Sequence, residues 1–265
     1  MHMPPVSSAA AETLDYTEEI FCLNFELRTM AQLVFHHEAE RWLHGFMFGI
    51  TEQEHLSRYN YIVKHVAGKR VLDVACGSGY GSYLLAAEGN ADHVDALDLN
   101  AESIRYAEHR HSHPAVRRWV GDAEQYYKEG AYDVIISFET VEHLPNYVSF
   151  LENVARSLAP SGTFCVSTPI TRATTTQCNN PYHVIEWSFA DFQKLISSHF
   201  IVEEVYVQNI HLLKDIPSAS LLHRVRRKLS PPIQPKRSVF ERYTGQYEPN
   251  DIYHGYQVLV CKKKA

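Results

Sequence analysis

The feature that most constrains this chain is Val71-Leu-Asp-Val-Ala-Cys-Gly-Ser-Gly-Tyr-Gly81, an apolar run that reaches a carboxylate and then breaks into alternating glycines. Arg70 to Val74 is short, largely apolar and β-branched, and Tyr80 to Glu88 is a helix-forming run closed by Gly89. The stretch therefore reads as strand, glycine loop and helix start. Gly77, Gly79 and Gly81 let the backbone take positive φ and let a ligand come nearer than any Cβ would allow. The first N–H groups of the following helix point at the same spot, so a ligand should sit on the turn.

A glycine loop after a strand also cradles the pyrophosphate of a dinucleotide, and by itself it does not separate the two ligand types. Asp73 narrows the choice. A carboxylate at the mouth of the loop would repel a pyrophosphate but suits a ligand carrying an ammonium and a sulfonium, as S-adenosylmethionine does. Three more landmarks follow in order. Asp98 ends the run His93-Val-Asp-Ala-Leu-Asp98, where a strand-end acid can accept both hydroxyls of a ribose. Val120-Gly-Asp-Ala123 follows the next strand, and Ile135-Ile-Ser-Phe-Glu139 the one beyond.

With acid, glycine loop, second acid and Asp-Ala step in this order, the chain resembles the class I S-adenosylmethionine-dependent methyltransferases over about residues 55 to 210. The resemblance implies an α/β fold with a doubly wound, mostly parallel seven-stranded sheet whose last strand runs antiparallel. It implies that Asp73, Ala75 and the Gly77 to Gly79 region hold the methionine part, that Asp98 and Leu99 hold the ribose, and that Asp122 and Ala123 border the adenine. In similar bacterial enzymes, segments like His36-His-Glu-Ala-Glu-Arg-Trp42 and Glu54-His-Leu-Ser-Arg-Tyr59 close over the cofactor, which adds Arg58 and Tyr59.

At 265 residues the chain suits one α/β domain with attachments. We expect a leader and helical lid over residues 1–54, then the cofactor-binding domain over 55–265, with an insertion at about 208–252 before the last strand. Within the second part, strands are expected at Thr163 to Thr168, Ile201 to Val207 and Tyr256 to Lys262, and Ser188-Phe-Ala-Asp191 resembles a capping box. The net charge of -6 gives no global attraction to nucleic acid, so a polyanion would need a local patch such as the basic run Leu222 to Arg237. Five scattered cysteines without a Cys-x-x-Cys pair fit a reducing, cytoplasmic setting. No apolar run approaches the ~18 residues of a membrane span.

Methyl transfer from a sulfonium is an in-line displacement with an already activated donor, so the protein must align a nucleophile and remove its proton. Glu139-Thr-Val-Glu-His143 places two carboxylates and an imidazole at i, i+3 and i+4, one face if the segment is helical. His143 is thereby the candidate general base. His183, in Asn180-Pro-Tyr-His-Val-Ile-Glu-Trp187, could meet this cluster after the fifth strand. Glu139, Glu142, His143 and His183 would then form a set able to bind a divalent ion that lowers the pKa of a substrate hydroxyl. Without metal, Glu142 and His143 would cap the helix or contact substrate. The cluster resembles the metal site of Hen-type RNA 2′-O-methyltransferases, and its Glu-His step occurs in ubiquinone-biosynthesis O-methyltransferases. The polar loop Thr171 to Asn180 could hold a sugar-like polyol. The leading expectation is O-methylation of a small molecule or a glycan or nucleotide-sugar precursor. Alternatives are a metal-dependent RNA 2′-O-methyltransferase, an N-methyltransferase, and a non-catalytic cofactor-binding scaffold.

Overall fold

The computed structural model describes residues 16–32, 43, 50–213 and 239–264. The leader, the His36 to Trp42 segment and the basic run Leu222 to Arg237 lie outside the described residues. In chain order the elements are α1 (Thr17–Ala31), α2 (Ile50–Val63), β1 (Arg70–Val74), α3 (Tyr80–Ala87), β2 (His93–Asp98), α4 (Ala101–Arg110), β3 (Val116–Val120) and β4 (Tyr132–Phe138). They continue with α5 (Tyr147–Ser157), β5 (Leu158–Thr171), β6 (Trp187–Ser188), α6 (Phe189–His199), β7 (Phe200–Leu212), β8 (Phe240–Arg242) and β9 (Ile252–Lys263).

The strands form one sheet in the order β3-β2-β1-β4-β5-β9-β7-β8, with β6 paired to β5. β1 to β5 pair in parallel, and β9 runs antiparallel to both β5 and β7. Central strands in such a sheet are covered on both faces, which is why β1 and β4 read as nearly unbroken apolar runs. Their side chains still alternate between two cores. Leu72 and Ile135 pack with Phe150, Phe164 and Phe192 on one face, whereas Val71, Val134 and Ile136 pack with Ile62 and Leu85 on the other.

Against the seven strands expected, the described residues form nine. β6 and β8 span only two and three residues, too short to leave an alternating pattern in the sequence. β5 starts at Leu158 instead of Thr163, with Leu158 paired to Tyr132 of β4, and β7 runs on to Leu212, where β9 supplies its partner. Helix starts follow their local chemistry. The Asn100 side chain accepts the Ser103 N–H at 2.8 Å to open α4, and the Ser188 hydroxyl accepts the Asp191 N–H at 3.2 Å to open α6.

The N-terminal helices divide their roles. α1 packs against α4 through Cys22, Phe25 and Tyr106, and the Tyr106 hydroxyl donates to Glu26 at 2.6 Å. α2 lies against α3, and the expected boundary between residues 54 and 55 falls inside it. All five cysteines are unbridged thiols, and no helix among the described residues is long and apolar enough to cross a membrane.

Gly79, at φ 79°, sits where α3 meets α4, and a Cβ there would come 2.3 Å from the Cβ of Ala107. Gly79→Ala should therefore destabilise the fold by about 2–4 kcal/mol, combining overpacking with left-handed strain. Gly77→Ala, whose Cβ meets nothing within 4 Å, should cost only about 1 kcal/mol. Urea unfolding of the two variants checks the contrast; equal losses would remove the packing argument.

Candidate cofactor and active site

A cavity of about 510 Å³ opens over the C-terminal tips of β3, β2, β1 and β4, within the range of small-molecule sites. The strand order sets its long axis. Asp122 and Ala123 follow β3, Asp98 ends β2 and Leu99 follows it, Ala75 to Ser78 follow β1, and Phe138 ends β4 with Glu139 and Thr140 after it; all of these line it. An elongated ligand would touch them in that series, at the place where parallel α/β sheets bind ligands.

The loop after β1 is held open by its backbone. Ala75 and Gly77 take φ of 56° and 55°. Because a Cβ on Gly77 would meet no protein atom within 4 Å, this glycine leaves room for a ligand on the cavity side. Asp98 fixes the loop from β2. Its carboxylate accepts the Gly77 N–H at 2.9 Å and the Asn100 N–H at 2.8 Å, while the Cys76 N–H bonds the Leu97 carbonyl at 3.0 Å. Asp122 in turn accepts from the Glu124 N–H and the Gln125 side chain. Leu99 is 74% exposed at the rim.

Three residues expected at the cofactor do not line the cavity. Asp73 is sealed behind the loop at 1% exposure, accepting the Tyr59 hydroxyl at 3.1 Å and the Ser82 hydroxyl at 2.6 Å. Burial pushes its carboxyl up from 3.8 to about 6 against the effect of those donors. Asp73 thus reaches the ligand space only through Tyr59, which does line it. Gly79 serves the packing of α3 on α4. Arg58 is buried too, its Nη1 donating to Gln208 at 2.9 Å and its guanidinium lying 5.1 Å from the centre of the Tyr256 ring. Gln208 donates back to the Glu54 carbonyl at 3.0 Å. α2 therefore has two working faces at i, i+4 spacing: Glu54 and Arg58 clamp it to β7 and β9, and His55 and Tyr59 face the cavity. Burial keeps the His55 imidazole neutral, with its pKa well below the ordinary value.

At the β4 end the shared helical face does not form. Glu139 takes a left-handed φ of 50°, and only Val141–His143 coil, as a single 3-10 turn. Glu139 is thrown apart from the others, towards Ser167 and Arg58. Glu142, His143 and His183 do converge, each offering a ligand atom within 4.8 Å of the others, with the two imidazole rings 4.8 Å apart between centres. Nδ1 of His143 bonds the Tyr182 carbonyl at 3.0 Å, and Nδ1 of His183 bonds the Glu186 carboxylate at 2.7 Å. Ligand histidines characteristically have their second nitrogen held in this way, so the donor set suits a divalent ion. Nε2 of His183 meets the Asn180 amide at 3.0 Å, a contact that metal binding would replace. Glu142 is fully buried and accepts from Thr168 at 3.2 Å.

The polar loop Thr171 to Asn180 spends its side chains on itself and its neighbours. Thr171 donates to the Ala173 carbonyl, Thr174 to Asp191, and Thr175 accepts the Gln177 N–H. It contributes no residue to the cavity, whose acceptor end is walled instead by His143, Leu144 and Tyr182. The walls Tyr80 and Phe138 were not foreseen, because neither an aromatic between two glycines nor one at a strand end carries a sign of which face it will take.

Residues 65–212 match the family described as methyltransferase domain. The chain belongs to that family. Among its relatives is phthiotriol/phenolphthiotriol dimycocerosates methyltransferase 1 of Mycobacterium ulcerans, 34% identical over 113 residues, which are 42% of this chain and 42% of the relative. Another is the ubiquinone biosynthesis O-methyltransferase of Rickettsia akari, 29% identical over 137 residues, 48% of this chain and 54% of that one. The chain thus spans about half the length of these relatives, or less. Among solved structures, the [4+2]-cyclase SpnF superposes with a TM-score of 0.59 at 14% identity, covering 94% of this chain and 96% of the cyclase, which is a likeness of fold alone.

The buried acid gives this methyltransferase domain a pH signature. The folded pKa of Asp73 lies above its unfolded value, so its contribution to stability is full below about pH 3.8 and is lost as pH rises through about 6. The loss should reach ~3 kcal/mol. Asp73→Asn removes this titration, so its stability relative to wild type should rise by that order between pH 4 and 7. Urea unfolding of both proteins across the window measures it, and a pH-independent difference would refute the assignment.

Proposed function

We propose that this protein transfers a methyl group from S-adenosylmethionine to an oxygen of a small molecule or lipid. The observation that carries the proposal is the continuity of one cavity from the Asp122, Asp98 and Gly77 tips to the imidazole of His143. A donor and an acceptor bound there would meet without further assembly. When bound, the cofactor supplies an activated methyl group on a sulfonium.

The chain's own residues have separable tasks in this reading. The Ala75 to Ser78 loop cradles the middle of the donor, Asp98 with Leu99 takes the ribose, and Asp122 with Ala123 borders the adenine. His143 takes the acceptor's proton; with Nδ1–H directed at the Tyr182 carbonyl, Nε2 is the basic nitrogen. Leu144 and Tyr182 line the same end, and Val184, whose N–H bonds the Glu142 carbonyl at 2.8 Å, is 40% exposed beside them. This flank favours an acceptor with an apolar body. The relatives named for phthiotriol dimycocerosates and for O-methylation in ubiquinone biosynthesis point the same way.

The convergence of Glu142, His143 and His183 favours a metal-assisted form of the same reaction. These three would hold a divalent ion, which would lower the pKa of an acceptor hydroxyl.

Titration calorimetry with S-adenosylhomocysteine should give binding that Asp98→Ala weakens by ~1–3 kcal/mol. An unchanged constant in the folded variant would sink the ribose assignment. Against a panel of phenolic and fatty acceptors, His143→Ala should lower turnover by about 100-fold or more while leaving cofactor affinity near normal. Chelation separates the two forms. Lost activity restored by added divalent ion, with Glu142→Ala behaving like His183→Ala, supports the metal; indifference to chelator leaves His143 acting alone as base.

A further inference from the structure

Glu139 is left without a task once the metal-like cluster forms without it, yet the fold goes to unusual lengths to place it. It is one of only four residues other than glycine with positive φ among the described residues, at 50°, a conformation a side-chain-bearing residue adopts when its surroundings force it. Ser167, wholly buried on β5, grips it twice. The Glu139 N–H donates to the Ser167 hydroxyl at 3.1 Å, and that hydroxyl donates to Oε1 of Glu139 at 2.6 Å. Nη1 of Arg58, itself 1% exposed, stands 3.8 Å from the same Oε1. The same Nη1 donates to Gln208, while the buried Nε of Arg58 has no hydrogen-bond partner among the described residues. The carboxylate is 17% exposed and lines the cavity.

The other cavity carboxylates are already engaged. Asp98 receives two backbone N–H groups, one on each oxygen, and Asp122 receives one bond on each oxygen. Oε2 of Glu139 accepts no hydrogen bond among the described residues. The strand order puts Glu139 after β4, beyond the glycine loop and at the opposite end of the cavity from Asp122. For a donor whose adenine borders Asp122, that is the end occupied by its methionine portion, which carries both of its positive charges. Asp73, the acid the sequence offered for this task, is sealed away behind Tyr59.

We propose that Glu139 is the carboxylate that meets the positive charge of the cofactor's methionine portion, and that Ser167 and Arg58 are its positioning residues. This rests on the donor reading given above. One oxygen is fixed from the protein side and the other is free to face the ligand, so a cation gains a prearranged partner. The fixed Arg58 keeps the pocket's charge balanced when the ligand leaves.

The test is calorimetric binding of S-adenosylmethionine and of S-adenosylhomocysteine to wild type and to Glu139→Gln, which keeps the shape and an oxygen for Ser167. S-adenosylmethionine should bind the variant at least about tenfold more weakly. A matching loss for S-adenosylhomocysteine, which retains the ammonium but not the sulfonium, assigns the contact to the ammonium; a loss confined to S-adenosylmethionine assigns it to the sulfonium. Less than about twofold change for both ligands overturns the inference. Glu139→Gly, which suits the left-handed backbone, gives the same comparison should the glutamine variant fold poorly. The positioning role is read from Ser167→Ala, which should weaken binding in the wild-type background and not in Glu139→Ala; equal effects in both backgrounds would make Ser167 merely structural. Wild type that binds neither ligand would overturn the donor reading and this inference together, whereas wild-type binding with an indifferent Glu139→Gln overturns only the inference.

Discussion

A buried carboxylate ties together the three elements on which the site depends. Asp73, next to last in β1, accepts hydroxyls from Tyr59 on α2 and Ser82 on α3, so strand, covering helix and loop-following helix are joined at one point away from water. The arrangement works only because Gly81 has no side chain: a Cβ there would lie 2.1 Å from the Tyr59 ring. Removing an acid from water is costly, and its raised pKa records that cost. What is obtained is orientation. Tyr59, packed edge-on against Tyr80 and Phe138, becomes a fixed wall of the cavity instead of a mobile surface aromatic.

Much of this was legible in the sequence because the site-bearing half of the sheet is built from strong local signals. β1, β2 and β3 begin and end where apolar runs meet glycines and acids, and α4 starts at the asparagine that caps it. Asp98, Leu99, Asp122 and Ala123 fall on the cavity for the same reason: a residue just past the end of a parallel strand has nowhere else to point. His143 and His183 could be paired because β4 and β5 are neighbours, which places the segments following them on one rim.

The rest failed where the outcome turned on a backbone angle or a distant partner. Glu139, Glu142 and His143 have the spacing of a helix face, and a single left-handed residue followed by a 3-10 turn divides them. Nothing local marks that angle, since Glu is not a residue that favours it. Arg58 reads like a cofactor clamp, but its partner Gln208 lies 150 residues away on a strand that itself read as shorter than it is. Asp73 and Gly79 belong to the motif yet do not line the cavity, because a motif records that a residue type is needed and not whether ligand, helix or hydroxyl needs it.

The insertion of β9 between β5 and β7 has a consequence for how the protein is made. β5 carries Ser167 and Thr168, which hold Glu139 and Glu142, and its outer edge is left with exposed N–H and C=O groups until residues 252–263 pair with it. β7, bearing Gln208, is joined to the rest of the sheet through that same last strand. The loop that opens the donor site is assembled from neighbouring segments, whereas the supports of the acceptor end wait for contacts spanning about 90 residues of chain. A ribosome-bound chain can therefore shape the glycine loop early, yet it must carry an open sheet edge, with the aggregation risk of such edges, until the end of β9 has emerged.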